Sequence, residues 1–228
     1  MLIFLDIKTT GYEKEDKICS ISLAWEDEGR VFSFQEFVNE GKKIPSKASA
    51  IHHITNEMIT DKGSFTASKS CEMLEKYNDE DTTLIVHNQQ FVLDMLRNAG
   101  YVFRGKIVDT LRVTRHLIPE CELFSLQFLR YELKLYRLED KNTQSFLQDV
   151  LVLKLLYEYL LEISSLDEMY DLSFANVLLE KFSFGKYEGK YIEEIAMSDR
   201  GYLMWLLSLE DLDEDLRYSL EYYTKGYL

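Results

Sequence analysis

The sequence has few residues of the kinds that cross-link, kink or loosen a chain. Its 228 residues include three cysteines, two prolines and ten glycines. Cys19, Cys71 and Cys121 are odd in number, widely spaced and without a C-x-x-C pair. This spacing argues against a disulfide framework and against a zinc knuckle. We therefore expect a protein of a reducing compartment, the cytoplasm.

Long apolar runs and an excess of basic residues are also missing. No stretch approaches the ~18 uninterrupted apolar residues of a membrane span, and the first residues form no basic leader, so we expect neither a membrane protein nor a secreted one. Lys and Arg number 26 against 40 Asp and Glu, a net charge of -14. Because phosphates require basic partners, this charge argues against broad, non-specific binding of nucleic acid.

What the chain does have is a hydrophobic content of 46%, enough for a sizeable core. Residues 2–7, 17–25 and 30–38 are apolar or alternating segments separated by turn residues, which predicts an antiparallel meander. Apolar strands at 82–87 and 106–109 then alternate with amphipathic helices. This order predicts an α/β fold in which helices flank a mixed sheet.

The composition changes toward the C-terminus. We predict a first domain over residues 1–163, a linker over 164–181, and a small, mostly helical domain over 182–228. The linker carries several acids without a dominant period, and the last segment opens with the turn-rich stretch FGKYEGK. Residues 1–163 hold 20 basic and 26 acidic residues, whereas residues 164–228 hold 6 and 14. Most of the acidic excess therefore lies in the C-terminal part.

Four short motifs follow one another along the first domain. They are Asp6-Ile7-Lys8-Thr9-Thr10-Gly11, the segment from Pro45 to Met58, His87-Asn88-Gln89-Gln90-Phe91, and Asp109-Thr110-Leu111. In the same order they resemble the DxETTG, PxxAxxIHGITxEM, HNAxF and DT-L segments of the DnaQ-like (DEDDh-type) 3′–5′ exonucleases, which include DNA polymerase III epsilon. The stretch FSFGKYEGKYIEEIAMSDRGYLMWLL is similar to the C-terminal domain of exonuclease X-like enzymes.

The resemblance implies a ribonuclease H-like fold, with a mixed five-stranded sheet flanked by helices. It also implies phosphodiester hydrolysis by two divalent ions, Mg²⁺ or Mn²⁺, held by four carboxylates from three motifs. In the family, a histidine five residues before the last aspartate acts as general base for the attacking water.

Carried over residue by residue, this site keeps only two of its four carboxylates. Asp6 and Asp149 match the first and last aspartates and are the surviving catalytic and metal-binding positions. Lys8 stands where the family has glutamate, Val92 where it has aspartate, and Gln144 where it has the histidine. We therefore expect Mg²⁺ or Mn²⁺ to bind weakly or not at all.

Lys8 changes the charge of the site as well as its ligands. Positions 6 and 8 of a strand share a face, about 7 Å apart. The side chains of Asp6, Asp149 and Lys8 carry a total charge of -1 without any metal. We therefore expect the Lys8 ammonium to lie where a metal would and to bridge both aspartates. Asp94, two residues after Val92 on a helix, should face elsewhere.

The same resemblance suggests which residues line a nucleic-acid groove. These are Thr9, Thr10, His52, Asn88 and Phe91. The neighbouring lysines at 42, 43 and 47 give some support to a groove that holds single-stranded nucleic acid without cutting it.

The C-terminal segment offers aromatic and basic candidates of its own. Tyr187, Tyr202 and Trp205 could give stacking faces to bases, but for Trp205 we favour a place in the core of the small domain. Lys186 and Lys190 flank a turn and could meet phosphate. Against this, residues 182–228 hold 5 basic and 10 acidic residues, a poor surface for nucleic acid.

These observations predict a 3′–5′ exonuclease-fold protein with a degenerate metal site. We expect it to be catalytically inactive and retained for binding or scaffolding in DNA replication or repair, with a protein partner and at most weak binding of single-stranded DNA. The alternative is an active metal-dependent 3′–5′ DNA exonuclease with a non-standard site that recruits another acid such as Asp94.

Overall fold

A five-stranded sheet forms the centre of the first part of the chain in the computed structural model, which describes residues 1–138 and 148–225. Its strands are β1 (Leu2–Thr9), β2 (Ile18–Asp27), β3 (Arg30–Phe37), β4 (Thr83–Val86) and β5 (Lys106–Asp109). Their order is β3-β2-β1-β4-β5. The first three strands pair antiparallel, and β4 joins β1 and β5 in parallel. The predicted mixed five-stranded sheet is confirmed.

Helices cover both faces of the sheet, and three further helices build a separate core in the C-terminal part of the chain. Among the described residues they are α1 (Ser46–His52), α2 (Asn56–Ile59), α3 (Lys69–Lys76), α4 (Gln89–Asn98), α5 (Thr110–Leu117), α6 (Leu126–Glu132), α7 (Gln148–Leu161), α8 (Leu166–Leu172), α9 (Ile192–Ser198), α10 (Arg200–Leu207) and α11 (Glu214–Lys225). Short 3-10 turns lie at Phe65–Ala67, Leu135–Arg137 and Gly185–Tyr187. None of these helices is long and apolar enough to span a membrane.

The central strand β1 supplies both cores because successive side chains of a strand point to opposite faces. Ile3, Leu5 and Ile7 join the core under α3 and α4, whereas Phe4 joins the core under α5, α6 and α7. The strand is thus buried on both faces, and Asp6 and Lys8 are the charged residues along it. Charged residues on an otherwise buried strand are where a functional site is expected.

The chain divides into two compact units, Met1–Ser173 and Phe174–Leu228. This division lies within the predicted linker, but most of that linker differs from the prediction. Residues Leu166–Leu172 form α8, whose Met169 is fully buried in the core of the first unit, and Ser173 Oγ accepts a hydrogen bond from the Asp109 N–H at 2.8 Å. Leu166, Met169 and Leu172 of this acidic helix pack against the core, but seven residues are too few for their period to stand out in the sequence.

The second unit has a separate core built by α9, α10 and α11. Its fully buried residues include Ile192 of α9, Leu203 of α10 and Leu220 of α11. Val177 N–H donates to the buried carboxylate of Asp215 at 2.9 Å, which ties the start of the unit to its last helix. The prediction of a small, mostly helical C-terminal domain is confirmed.

Candidate functional site

Three charged side chains meet beside the central strand. Lys8 Nζ lies 2.9 Å from Asp6 Oδ2 and is in direct contact with Asp149 Oδ2. Asp6 and Lys8 share one face of β1, and Asp149 lies in the first turn of α7, which packs across that strand. The predicted bridge between the two aspartates is therefore present, and we refer to these three residues as the lysine cluster.

The lysine cluster is only partly open to water. The side chains of Asp6, Lys8 and Asp149 are 19%, 26% and 25% exposed. Burial raises the pKa of Asp6, and the charge of Asp149 adds to this, while Lys8 acts in the opposite direction. Burial by itself lowers the pKa of Lys8, but the two carboxylates outweigh it and hold that pKa above its ordinary value. The ammonium thus stays charged at neutral pH.

Gln127 of α6 completes the cluster. Its side-chain amide donates to Asp149 Oδ1, and its own carbonyl oxygen accepts a hydrogen bond from Arg130 Nη1 at 3.2 Å. The two oxygens of Asp149 are therefore held by different partners, Lys8 on one and Gln127 on the other. No motif points to Gln127, because its role depends only on how α6 packs beside α7.

The other positions of the expected metal site contribute no further carboxylate. Val92 is 4% exposed and packs in the core of the first unit beside Met95 and Leu96. Asp94 accepts hydrogen bonds from Arg97 at 2.9 Å and Gln90 at 2.8 Å, both on its own helix. Asp94 thus has hydrogen-bond partners on its own helix. Gln144 lies outside the described residues.

The predicted groove residues at the end of β1 are held by internal hydrogen bonds. The hydroxyl groups of Thr9 and Thr10 donate at 2.6 Å to the Gly11 carbonyl and to Asp16 Oδ1, and both threonines are buried. His52 Nδ1 accepts the Ile54 N–H at 3.1 Å, so we assign the proton to Nε2, which donates to the Thr9 carbonyl at 3.2 Å.

Burial lowers the pKa of His52, and the charge of Lys8 acts in the same direction, which keeps the ring neutral. These residues therefore position the end of β1.

Asn88 and Phe91 form the corner between β4 and α4. Asn88 adopts a left-handed conformation with φ 75° and caps the helix by accepting the Phe91 N–H at 3.3 Å. Asp109 accepts the N–H groups of Asn88 and Gln89 at 2.8 and 2.9 Å. The Phe91 ring lies 5.5 Å from that of Tyr12, which is 73% exposed and was not among the predicted residues. Asn88 and Tyr12 are thus exposed to solvent, whereas Phe91 is partly buried against the core.

Asp16 clamps the loop after β1 and yields a first testable prediction. It accepts hydrogen bonds from Thr10 Oγ1 at 2.6 Å and the Glu13 N–H at 2.9 Å, and it pairs with Lys42 at 2.7 Å. We expect Asp16→Ala to lower the free energy of unfolding by about 2–3 kcal/mol at pH 7, because charge-assisted hydrogen bonds are lost.

The pH dependence of this loss has a definite sign. Burial tends to raise the pKa of Asp16, but Lys42, Thr10 and the Glu13 amide outweigh it and hold the pKa below its usual range. The contribution of a carboxyl with a lowered pKa is present above the unfolded value of about 3.9 and is lost as pH falls through the folded value. Urea unfolding should therefore show a smaller difference between wild type and variant at pH 2 than at pH 7. An equal difference at both would contradict the clamp.

In the second unit, the structure overturns one expectation. Trp205 is 55% exposed, so its predicted place in the core is wrong, and the core of that helix is formed by Leu203 and Leu206 instead. Lys186 is held by Asp199, whose Oδ2 lies 3.1 Å from its Nζ and also accepts the Tyr187 hydroxyl at 2.6 Å. The ammonium that could have met a phosphate thus already has an acidic partner.

Comparison with known proteins identifies the fold and its ancestry. The family model described as Exonuclease matches residues 3–174, well over half of the chain. The chain belongs to this exonuclease family. A second model, described as Exodeoxyribonuclease X-like C-terminal, matches residues 182–209. The predicted resemblance to DnaQ-like exonucleases with an exonuclease X-like C-terminal domain is confirmed.

The relatives include enzymes of DNA metabolism. Exodeoxyribonuclease 10 of Escherichia coli strain K12 is 25% identical over 238 aligned residues, which cover 99% of this chain and 100% of the relative. DNA polymerase III subunit epsilon of Treponema pallidum is 27% identical over 123 residues, which cover 50% of this chain and 55% of the relative. A solved structure of exonuclease X in complex with 5′ overhanging duplex DNA has a TM-score of 0.61 at 22% identity, covering 76% of this chain and 99% of its own. The ribonuclease H-like fold is thus confirmed.

Exonucleases of this family generally depend on divalent metal ions. Across residues 1–138 and 148–225, no group of three or more His, Cys, Asp and Glu side chains is placed to hold an ion. Asp6 and Asp149 are both in contact with the Lys8 ammonium, and Asp149 also with Gln127. A dication would have to displace that ammonium or lie against its charge.

Proposed function

We propose that this exonuclease-fold protein has a degenerate metal site, does not hydrolyse DNA, and acts by binding or scaffolding. The observation that carries the proposal is the position of Lys8 Nζ, 2.9 Å from Asp6 and in contact with Asp149. The ammonium contacts both carboxylates and offsets one of their two charges, so the cluster, at a charge of -1, attracts a dication less than two unpaired carboxylates would. In this proposal Mg²⁺ and Mn²⁺ bind weakly or not at all.

The absence of a metal-binding carboxylate and of a general base at positions where the family has them also supports the proposal that the protein does not hydrolyse DNA. Two-metal hydrolysis needs ions that activate the water and stabilise the leaving oxygen, and a base that accepts the water's proton. A lysine with a raised pKa cannot accept that proton at neutral pH, because it is already protonated. Val92 offers only a buried aliphatic side chain where a further ligand is expected.

The binding role is inferred from ancestry and charge. A neighbour in the structural comparison holds duplex DNA, and a relative is a DNA polymerase III subunit, which supports a place in DNA replication or repair. The net charge of -14 opposes tight contact with phosphates, so we propose that single-stranded DNA is bound weakly and that the main partner is a protein. We place this protein in the cytoplasm.

The proposal is tested by a nuclease assay with a matched control. Purified wild type and Asp6→Ala are incubated with a 5′-labelled single-stranded oligonucleotide and either Mg²⁺ or Mn²⁺. We expect no shortened products from either protein, because the wild-type cluster already lacks the ions that Asp6 would hold. Clear hydrolysis by the wild type that disappears in Asp6→Ala would establish the alternative, an active 3′–5′ exonuclease with a non-standard site.

Metal affinity can be measured separately from turnover. A ligand that binds only the folded state raises its stability by RT ln(1 + [L]/Kd), about 1.4 kcal/mol at ten times Kd. We expect the melting temperature of the wild type to be unchanged by millimolar Mg²⁺ or Mn²⁺.

A further inference from the structure

The second unit exposes an apolar helix face that its own core does not use. On α10, Leu203 and Leu206 are buried, while the neighbouring Met204 and Trp205 are 53% and 55% exposed. At 100° per residue, the two exposed side chains lie on the side of the helix opposite the two leucines. The exposed residues Gly201 and Ser208 continue the same side at each end.

Exposed Met and Trp side chains are typical of surfaces that bind other proteins. Both are enriched at protein–protein interfaces, and Trp is among the commonest residues that dominate binding energy. Met adapts its unbranched side chain to partners of different shape. The Trp205 ring also packs against Tyr202, with 5.6 Å between the ring centroids, and Tyr202 lies 5.0 Å from Tyr187. This packing restricts the Trp205 side chain, so less entropy is lost when a partner covers it.

Charge indicates what kind of partner fits. Directly after α10 the chain carries an acidic run, in which Glu210, Asp211 and Glu214 are exposed. The Arg217 guanidinium donates to the carbonyls of Leu207 and Leu209 at the end of α10, at 3.0 and 2.6 Å, so the negative charge here comes from the acidic side chains and not from the helix end. The lysine nearest this aromatic group, Lys186, is neutralised by Asp199. A nucleic acid would therefore meet repulsion here, whereas a cationic apolar segment would be attracted.

We propose that the outward face of α10 binds a basic, amphipathic helix of a partner protein. Met204 and Trp205 contact the apolar side of that helix, and Glu210, Asp211 and Glu214 face its lysines and arginines. Amphipathic helices are commonly recognised through their apolar face, with apolar anchor residues giving affinity and charged residues setting the orientation. The inference rests on the proposed function and specifies the chemistry of its protein partner, whereas its test does not depend on whether the lysine cluster binds metal.

Trp205 itself reports on binding. The chain has two tryptophans, Trp25 and Trp205, so Trp25→Phe leaves Trp205 as the single emitter. The probe is a synthetic helix of about 18 residues with leucines on one face and lysines on the other. We expect the Trp205 emission to shift to shorter wavelength as this peptide is added to the full chain. A peptide with the lysines replaced by glutamates should cause no shift.

Matched variants separate this face from the general acidity of the protein. In the Trp25→Phe background, Met204→Gln and the double variant Glu210→Lys with Asp211→Lys should each weaken peptide binding by at least about tenfold. Val102→Gln, at a position 58% exposed in the first unit, and Glu80→Lys with Asp61→Lys, at two exposed acids there, should change it less than about twofold.

Four outcomes would overturn the proposal. The first is no emission shift up to about 0.1 mM peptide, and the second is equal weakening by the test and control variants. The third is a shift caused by a single-stranded oligonucleotide and not by the basic peptide, which would assign the face to nucleic acid. The fourth is concentration-dependent dimerisation in sedimentation that Met204→Gln abolishes, which would make a second copy of this chain the occupant.

Discussion

Replacing Lys8 with methionine should lower the free energy of unfolding by about 2–4 kcal/mol at pH 7. Methionine keeps the length and apolar stem of the side chain but removes the charge, so Asp6 and Asp149 are left facing each other with about one fifth to one quarter of each side chain exposed. Breaking a partly buried ion pair from one side is costly because the remaining charge loses its partner without regaining full hydration. Chemical denaturation at constant salt measures the change.

The stability of the same variant should depend more strongly on pH than that of the wild type, and, unlike the wild type, it should increase when metal ions are added. Burial already raises the pKa of Asp6, and loss of Lys8 removes the main opposing influence. A carboxyl with a raised folded pKa destabilises the protein least below that pKa, so the deficit of Lys8→Met should shrink as pH falls toward 4. Millimolar Mg²⁺ or Mn²⁺ should raise the melting temperature of the variant, since the ion can take the place of the ammonium.

Lys154 provides a matched control. Its side chain is only 12% exposed and contacts Glu158 and, at 3.8 Å, Glu26, but these carboxylates are 46% and 53% exposed. After Lys154→Met they are hydrated again, so we expect a loss of about 1 kcal/mol or less and no response to metal. Equal losses for Lys8→Met and Lys154→Met would show that the lysine cluster contributes no special stability.

The triple variant Lys8→Glu, Val92→Asp and Gln144→His should gain metal-dependent 3′–5′ exonuclease activity. These changes restore the two carboxylates and the base that the family uses at these positions. A positioned general base by itself contributes about 10²–10⁴ in rate, so the triple variant should exceed the wild-type background by at least that factor. The measurement is release of labelled nucleotides with Mn²⁺, compared with and without a chelator.

Two controls make the gain interpretable. Adding Asp6→Ala to the triple variant should abolish the activity, because the remaining carboxylates cannot hold both ions. The double variant Lys8→Glu with Gln144→His should be nearly inactive, because Val92 still provides no carboxylate to bind the metal. Val92 is 4% exposed, so aspartate at that position should also lower stability until metal is added. Stabilisation by metal without any hydrolysis would show that the substrate groove, too, has been lost.

Much of the fold follows from patterns that lie close together along the chain. Residues 2–7, apolar apart from Asp6, predict a buried strand, and period two places Asp6 and Lys8 on the same face. The motif order identifies the family, and that places Asp149 near the same site although it is far away in sequence. Helices α1 and α2, of seven and four residues, are too short for a hydrophobic period, which is why only the structure shows them.

By itself, the sequence determined the family, the mixed sheet and the replacement of a carboxylate by Lys8. Each of these follows from motifs or hydrophobic patterns whose residues lie a few positions apart. The tertiary structure decided that the Lys8 ammonium reaches both aspartates, that Gln127 holds the far oxygen of Asp149, and that Trp205 faces outward. These three facts depend on how helices pack on one another and on the sheet. Helix packing depends on contacts between residues that are distant in sequence. The hydrophobic pattern of a short helix therefore does not predict which of its sides a neighbouring helix will cover.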